Sequence, residues 1–403
     1  MERIGFYAGS FDPFTKGHMA VVCEALQLFD KVIIAVGNNP NKNTMFDARR
    51  RMDMIMSSIQ DFKTSYFHRY LSGAIFSPAE ENVAERLCKD IDSCISIISY
   101  SGLTVDEALK ENACCLIRGE RMVGDHDSEM QQAMFNRELL NFRGSSMGIV
   151  FIPVPSTGLT YVSSGNVKSL CANGEYIVAN KYVYPSVHKV LMEIYLKERF
   201  KRFLGWISRS PLELEKKWDK LIRIYNDPSR TYHNLSHVAY CLNIADVLTK
   251  QDSFTCSELT SIYLAIFYHD VVIKDIDAEE KSAAIFKKNT VKTKEVDNIC
   301  QMIMATKIGS KYEGVSKDIV DLAKIVHDAD VAILADRENY GLYAQQVRRE
   351  YGEDTQEYAI GRIEVLINIK NNEIYSSRFG NSVWPDKAEE NINREVAFWQ
   401  SRL

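Results

Sequence analysis

Short runs rich in valine and isoleucine, apolar on both faces, recur through the first half of the chain: RIGFYA, KVIIAVG, CISIISY, ACCLIRG and MGIVFIPV. Between them, apolar positions fall three and four apart at 18–29, about 47–60, 104–111 and 125–140. Short buried strands alternating with helices predict a parallel sheet with helices on both faces. Ligands of such sheets bind beyond the carboxyl ends of the strands. From about residue 186 the pattern changes. SVHKVLMEIYLKERFKRFLGWI reads as one amphipathic helix, and SRSPLELE, with Pro211 near a helix start, reads as a boundary. Beyond it the periodicity is almost wholly helical, at 212–226, 237–250, 257–268, 279–288, 294–305, 317–326 and 336–351. The pattern predicts an α/β domain over 1–200 and an all-α domain over 211–403, with no internal repeat or low-complexity segment.

Composition narrows the function classes. A length of 403 residues exceeds what one core usually supports. The 49 basic against 54 acidic residues, net charge -5, leave no electrostatic footprint for nucleic acid or an anionic membrane. No apolar stretch reaches the roughly 20 residues that span a bilayer, and the charged N-terminus runs straight into a strand rather than a signal peptide. Nine scattered cysteines without a CxxC pair argue against a disulfide framework or a Cys-ligated zinc site. Cys114 and Cys115 are expected to act as small hydrophobes on a buried strand. A cytoplasmic, reducing location is the expectation.

The first candidate chemistry follows RIGFYA. GSFDPFTKGH leaves the strand through Gly9 and Ser10, stiffens at Pro13, and opens a helix at Gly17-His18, whose N-terminal N–H groups favour anions. Its spacing matches neither a Walker loop nor GxGxxG. Alone it could be a strand-to-helix turn with a capping histidine. NPNKNTMF adds Lys42 after the second strand. LIRGERMVGDHDSEM adds Arg118 and Arg121 at another strand end, with Asp125 and Glu129 one turn apart. YVSSGNVKSL adds a Ser-Ser-Gly turn opening a helix, with Lys168 in its first turns. All four fall at strand ends on one edge of one sheet.

Together these motifs resemble the phosphopantetheine adenylyltransferases, members of the nucleotidyltransferase superfamily with a Thr/His-x-Gly-His signature. The likeness covers roughly residues 3 to 198 and implies a Rossmann-like nucleotidyltransferase domain. It implies that Ser10, Lys42, Thr104 and Arg118 hold 4′-phosphopantetheine. It implies that ATP is held by Ser10, Phe11, His18, Gly119, Glu120, Arg121 and Glu129. The segment Leu159, Thr160, Tyr161, Val162, Ser163, Ser164 and Gly165 would complete the ATP site. His18, Lys42 and Arg118 would stabilise the transition state, with Mg²⁺ on the departing pyrophosphate; Asp125 follows the pattern without an assigned role. Family members commonly form hexamers, so a homo-oligomer is expected unless the second domain blocks it. Ser10 stands for the usual threonine, Glu120 for a commonly apolar residue, and SSG for SSS. An insert at roughly 62 to 93 is expected to cap the acceptor end, which leaves a different phosphorylated acceptor as the alternative.

The second candidate chemistry is a histidine–aspartate series: TYHNLSHV, FYHDVV and VHDADVAIL. Neutral imidazoles with carboxylates form a donor set for a divalent metal that activates water. Any one of these histidines alone could be a satisfied core or capping residue. The ordered set resembles the HD superfamily of metal-dependent phosphohydrolases over about 212 to 403, and more narrowly a subgroup matching YHNLSHV, FYHDVVI, EEKSA, DADVAIL, VRREY and GRIEVL. The resemblance implies that His237, His269, Asp270 and Asp330 ligate the metal, with Asp328 the rival for the last place and His233 a phosphate-binding or supporting group. Glu279 and Ser282 match the subgroup's Glu-x-x-Ser, while Ala278 replaces a usual Asn, and Lys307 and Ile308 occupy a region where a further histidine often falls. The alternative is a regulatory domain that senses a nucleotide.

Overall fold

Alternation along the first-half strands has a direct structural consequence. In the structure, a computed structural model, residues 2–403 are described apart from 40–41, 72–77, 121–122, 155–161, 208–209, 289, 291–292, 310–311 and 353–354. Of 66–71, 78–81, 123–126 and 128 only the backbone is described. Five parallel strands, β1 (Ile4–Gly9), β2 (Lys31–Gly37), β3 (Ile95–Tyr100), β4 (Cys115–Glu120) and β5 (Gly148–Pro153), form one sheet in the order β3-β2-β1-β4-β5. Tyr7, Val32, Ile34, Val36 and Ile117 supply one core, together with residues of helices Lys16–Leu28, Ala48–Leu71 and Pro78–Lys89. Phe6, Ile33, Ala35 and Leu116 supply a second core with helices Thr104–Lys110 and Val123–Phe142. Successive residues of one strand thus feed opposite faces, which is why the strands are apolar throughout.

The centre of the sheet positions the site. β1 lies between β2 and β4, so the strand order reverses there. The β1–β2 ladder reaches Gly9 opposite Val36, and the β4–β5 ladder reaches Glu120 opposite Pro153. Pairing of β1 with β4 stops earlier, at Tyr7 opposite Ile117. The ladder between the two central strands thus ends before their last residues, and at such a reversal of strand order this fold forms a crevice at the carboxyl ends.

Two local expectations are corrected. In the described part of the insert, Val83 and Leu87 belong to the core that contains helix Lys16–Leu28. Arg86 donates to the carbonyls of Leu26 and Asp30, at the far end of that helix, immediately before β2 begins. This part of the insert therefore packs at the amino-terminal edge of the sheet and does not cap the crevice. Cys114 precedes β4 and is exposed, and Cys115 is half-buried, so neither is a fully buried hydrophobe; all nine cysteines are free.

The chain divides into two compact units, Met1–Leu191 and Met192–Leu403, the division falling within helix Pro185–Leu204. Among the described residues the second unit holds helices, one short 3₁₀ turn (Ala332–Ala335) and no strand. Its central helix, Cys256–Tyr268, is buried without interruption from Thr260 to Tyr268. It packs against helices Leu235–Thr249, Lys294–Met304 and Val320–Val331. Helices Gln356–Asn371, Arg378–Val383 and Pro385–Gln400 escape the periodicity reading. Ile360, Val365 and Ile367 of the first are exposed while Leu366 is buried, so no single apolar face announces it. No described helix is long and apolar enough to cross a membrane.

Candidate active sites in the two units

The loop after β1 is fixed from several sides. Thr15 caps helix Lys16–Leu28 reciprocally with His18: its hydroxyl accepts from the His18 N–H, and His18 Nδ1 accepts from the Thr15 N–H at 2.9 Å. With Nδ1 accepting, the ring proton resides on Nε2. The imidazole lies edge-on to Phe11 (centroids 5.2 Å apart) and tilted on Phe14 (5.4 Å). Phe11 is buried in a left-handed conformation (φ 49°) and packs over Gly9, where a Cβ would come within 2.8 Å of its ring. Asp12 accepts from the backbone of Met45 (2.9 Å) and Phe46 (3.0 Å) and from the Lys168 ammonium (2.7 Å). Arg51, 1% exposed, donates to the carbonyls of Ser10 (2.6 Å), Gly37 (3.0 Å) and Phe46 (3.0 Å). Burial lowers its pKa, against the opposing pull of Asp12 and Asp47. Ser164 donates to the Pro13 carbonyl at 2.8 Å, so helix Ser164–Ala172, capped by Ser163, meets the same loop with its N-terminus. Two helix N-termini adjoin one loop, a favourable setting for phosphates.

The other expected residues are distributed around this edge. Arg118, 14% exposed at its side chain, lies 3.5 Å from Glu129 of helix Val123–Phe142. Gly119 has no room for a side chain, since a Cβ would sit 2.8 Å from Val21 Cγ2. Glu120 ends β4 half-buried. Thr104 begins its helix and shares a 2.8 Å hydrogen bond with Tyr100, the last residue of β3. Lys42 is exposed on the loop after β2 and, among the described residues, forms no ion pair. Phe11 and Val162 give their side chains to buried packing. Ser163 and Ser164 are engaged in the cap and the Pro13 contact. Gly165 has open space for a Cβ, its nearest contact being 3.7 Å. Arg121, Leu159, Thr160 and Tyr161 lie outside the described residues, as does the side chain of Asp125.

In the second unit, packed helices bring four side chains to one point. His237 is in the first turn of helix Leu235–Thr249, His269-Asp270 ends helix Cys256–Tyr268, and Asp330 ends helix Val320–Val331. The two Nε2 atoms are 3.1 Å apart. Asp270 Oδ2 lies 3.2 Å from His237 Nε2 and 3.0 Å from His269 Nε2. Asp330 Oδ1 lies 3.1 Å and 3.3 Å from the same atoms. Donors bound to one ion at about 2.0–2.1 Å are spaced about 2.8–3.0 Å apart in octahedral geometry and about 3.3–3.4 Å in tetrahedral. The five distances that involve an imidazole, 3.0–3.3 Å, fall between those values. Asp270 Oδ2 is buried and has no hydrogen-bond partner among the described residues, as expected of an oxygen shaped for a cation. His269 Nδ1 donates to the Ile266 carbonyl at 2.8 Å, which turns the Nε2 lone pair toward the quartet. The C-terminal end of helix Cys256–Tyr268 adds partial negative charge there.

Electrostatics agree with the geometry. Burial alone would lower the His269 pKa, but Asp270 and Asp330 outweigh it and hold the ring well above its ordinary value. Burial likewise opposes ionisation of Asp270, and the imidazole of His269 overrides it, keeping the carboxyl well below the usual range. Two carboxylates here demand about two positive charges, which imidazolium rings or one divalent cation can supply. Cys241, one turn beyond His237 and buried, completes a group of potential ligands with His237, His269 and Asp330. Asp328 is placed elsewhere. It is buried and accepts from the backbone of Ser376 and Ser377, each at 2.9 Å, so it anchors the segment before helix Arg378–Val383.

Of the supporting residues, Glu279, Ser282 and Glu350 lie in motifs quoted for the resemblance without an assigned role, and Arg230 lies in none. Glu350 accepts from His233 Nδ1 and from the backbone of Tyr232 (2.8 Å) and His233 (3.1 Å), leaving His233 Nε2 3.9 Å from Asp270 Oδ2. Arg230 donates to the carbonyls of His233 (3.0 Å), Asp270 (2.7 Å) and Val271 (2.8 Å), tying two ligand-bearing segments together. Ser282 accepts from the Val272 N–H at 3.0 Å, and burial raises the pKa of half-buried Glu279. Asp12 and Arg51 do comparable work in the first unit. Asp12 stood within the quoted loop and its turn-forming type was a usable signal; Arg51, one of three consecutive arginines, offered none.

Comparison with known proteins separates the two halves. A family profile described as cytidylyltransferase-like matches residues 6–169. A phosphopantetheine adenylyltransferase of Wolbachia sp. subsp. Brugia malayi (strain TRS) is 34% identical over 193 residues, 48% of this chain and 94% of the relative. That of Francisella tularensis subsp. novicida (strain U112) is 30% identical over 198 residues, 49% of this chain and 100% of the relative. Among solved structures, a Plasmodium falciparum nicotinic acid mononucleotide adenylyltransferase complexed with NaAD matches at 16% identity, over 48% of this chain and 98% of that one, with a TM-score of 0.27.

Proposed function

Because this chain, over the span those relatives share, belongs to the phosphopantetheine adenylyltransferase family of nucleotidyltransferases, we propose that its first unit transfers AMP from ATP to 4′-phosphopantetheine. The products would be dephospho-coenzyme A and pyrophosphate. The observation that carries the reading is the crevice between β1 and β4, with the His18 loop on one side and Arg118 on the other. A phosphate oxygen of the acceptor bonds to the α-phosphorus of ATP, and the bond from that phosphorus to the bridging oxygen breaks as pyrophosphate leaves. The nucleophile is already an anion, so no general base is needed. The task is to hold two polyanions together and to neutralise charge at the α-phosphorus. His18, its proton on Nε2, is suited to donate to a phosphoryl oxygen there. Arg118, Lys42 and the helix N-termini add positive potential, and Mg²⁺ arrives with ATP as part of the substrate. The test is pyrophosphate release by the full chain with ATP or CTP and a set of phosphorylated acceptors. ATP with phosphopantetheine should be the preferred pair; preference for another acceptor or nucleotide overturns the assignment. Arg118→Ala should raise KM for the acceptor more than for ATP, and Arg121→Ala the reverse.

The second unit we read as an HD-type metal-dependent phosphohydrolase, on the convergence of His237, His269, Asp270 and Asp330. A divalent ion held by these four would supply Lewis-acid activation of water and neutralise phosphoryl oxygens. The oxygen of water bonds to phosphorus, the ester P–O bond breaks, and the two protons of water divide between the phosphate and the released alcohol. His233, oriented by Glu350, is placed to pass a proton near Asp270. Elemental analysis of the purified chain should find about one divalent ion bound. Metal without hydrolysis of any nucleotide or phosphomonoester would favour a regulatory domain instead.

A further inference from the structure

A cavity of about 480 Å³ opens beside the metal quartet, entirely within the second unit. Asp330 and His233 stand in its wall, so it is continuous with the place where a phosphoryl group would react. The rest of the wall is aromatic and aliphatic: Tyr232, Tyr343, Tyr351 and Tyr358, with Val347 and Val365 among the aliphatic groups. Arg362 is the one guanidinium or ammonium in the wall, and its charge is already matched. Its Nε and Nη2 donate to Glu395 at 2.9 and 3.1 Å, and Nη2 also donates to Tyr343 at 3.1 Å. Lys307, next to wall residue Ile308, pairs with Glu280 at 3.0 Å. Among the described residues the wall itself thus offers no unmatched cation for a second or third phosphate; the nearest ammonium, Lys274, stands outside it over the Tyr351 ring, 5.5 Å from the centroid.

Resting on the hydrolytic reading of the quartet, we propose that this cavity receives the organic part of a phosphomonoester, and that this part is uncharged, flat and largely apolar. A ribose and base would bring many hydrogen-bonding atoms to a wall that is mostly apolar, and unpaired buried polar atoms are costly. The tyrosine hydroxyls of the wall suit a few polar groups on an otherwise apolar body. Gly361, in helix Gln356–Asn371, lines the cavity, and a Cβ there would meet no atom within 4 Å. A larger side chain at this position would intrude on the cavity.

The test uses the full chain loaded with Mn²⁺, and the variants Gly361→Leu and Gly361→Ala. 1-Naphthol, which lacks a phosphoryl group, should bind by fluorescence titration. Gly361→Leu should weaken it at least tenfold, and Gly361→Ala by less than about threefold. For hydrolysis, kcat/KM should be highest for 1-naphthyl phosphate, with glycerol 3-phosphate, AMP and ATP at least tenfold lower. Gly361→Leu should reduce the naphthyl ester alone and leave bound manganese unchanged. AMP or ATP hydrolysed as well as the naphthyl ester, or equal losses on every substrate in Gly361→Leu, would overturn the proposal. Absence of naphthol binding would overturn it as well. If naphthol binds and Gly361→Leu blocks it while no phosphoester is hydrolysed, the hydrolase reading fails and the substrate assignment with it, leaving an apolar ligand site.

Discussion

The crevice of the first unit and the quartet of the second are built in opposite ways. The crevice is assembled from strand-end loops, and its scaffold is largely backbone: carbonyls gripped by Arg51, amides gripped by Asp12, helix N-termini. Its candidate ligand-binding side chains, Lys42 above all, stand at least partly open to solvent. The quartet consists of side chains from packed helices, with both imidazoles buried and each Nε2 3.0–3.3 Å from the other and from both carboxylates. Large anionic substrates can be met by distributed dipoles and flexible cations, which tolerate displacement of a residue. A single small cation cannot, because its bond lengths allow only tenths of an ångström.

That contrast can be broken experimentally, and the strongest attempt is at the quartet. Asp270→Asn keeps the size of the side chain but removes an anionic donor. Asp270→Asn and His269→Ala should each lose the bound metal and essentially all hydrolysis, while pyrophosphate release by the first unit stays near wild type. Metal retained in both variants would show that the four side chains do not hold it. Asp328→Asn is the internal control: it should lower stability and spare the metal, since Asp328 is bonded to the backbone of Ser376 and Ser377.

In the crevice one donor should matter less than a ligand does in the quartet. His18→Ala should slow adenylyl transfer by about 10²–10³, the usual loss for one preorganised donor, with metal content unaltered. Turnover within a few-fold of wild type would remove His18 from the chemistry. Arg51→Leu addresses the scaffold instead. Three carbonyls lose their partner, so the first unit should lose about 2–4 kcal/mol of stability, read as a lower denaturant midpoint. An unchanged midpoint would mean that Arg51 does not brace the loops.

The smallest expected effect separates the units by pH. His188, in the first unit, is buried and donates from Nε2 to the Tyr176 carbonyl at 2.9 Å. Burial lowers its pKa to about 4 from 6.5. Between those values the unfolded chain binds a proton that the folded chain refuses, so stability falls as pH drops through this window. At pH 5.5 the loss relative to pH 7.5 should be about 1 kcal/mol. Thermal unfolding of wild type and His188→Leu at both pH values measures it; equal pH sensitivity in the two proteins would exclude His188 as the source.

What the sequence determined by itself is what adjacent residues can express. Strand and helix periods gave the α/β half and the helical half, because burial on one or both faces writes its period into the chain. GSFDPFTKGH was legible as a structured turn from strand to capped helix because its glycines, cap and histidine act within ten residues of one another. The ordered histidines and aspartates were legible as a donor set, but Asp328 and Asp330 stood as rivals two positions apart. Only the helix path decided between them, since two residues along a helix point about 200° apart. The same holds for Glu350, 117 positions from the histidine it orients, and for the described part of the insert, whose placement at the amino-terminal edge follows from Val83 and Leu87 packing. Tertiary structure alone could decide these, because each depends on which surfaces come together and not on any residue's own type or neighbours.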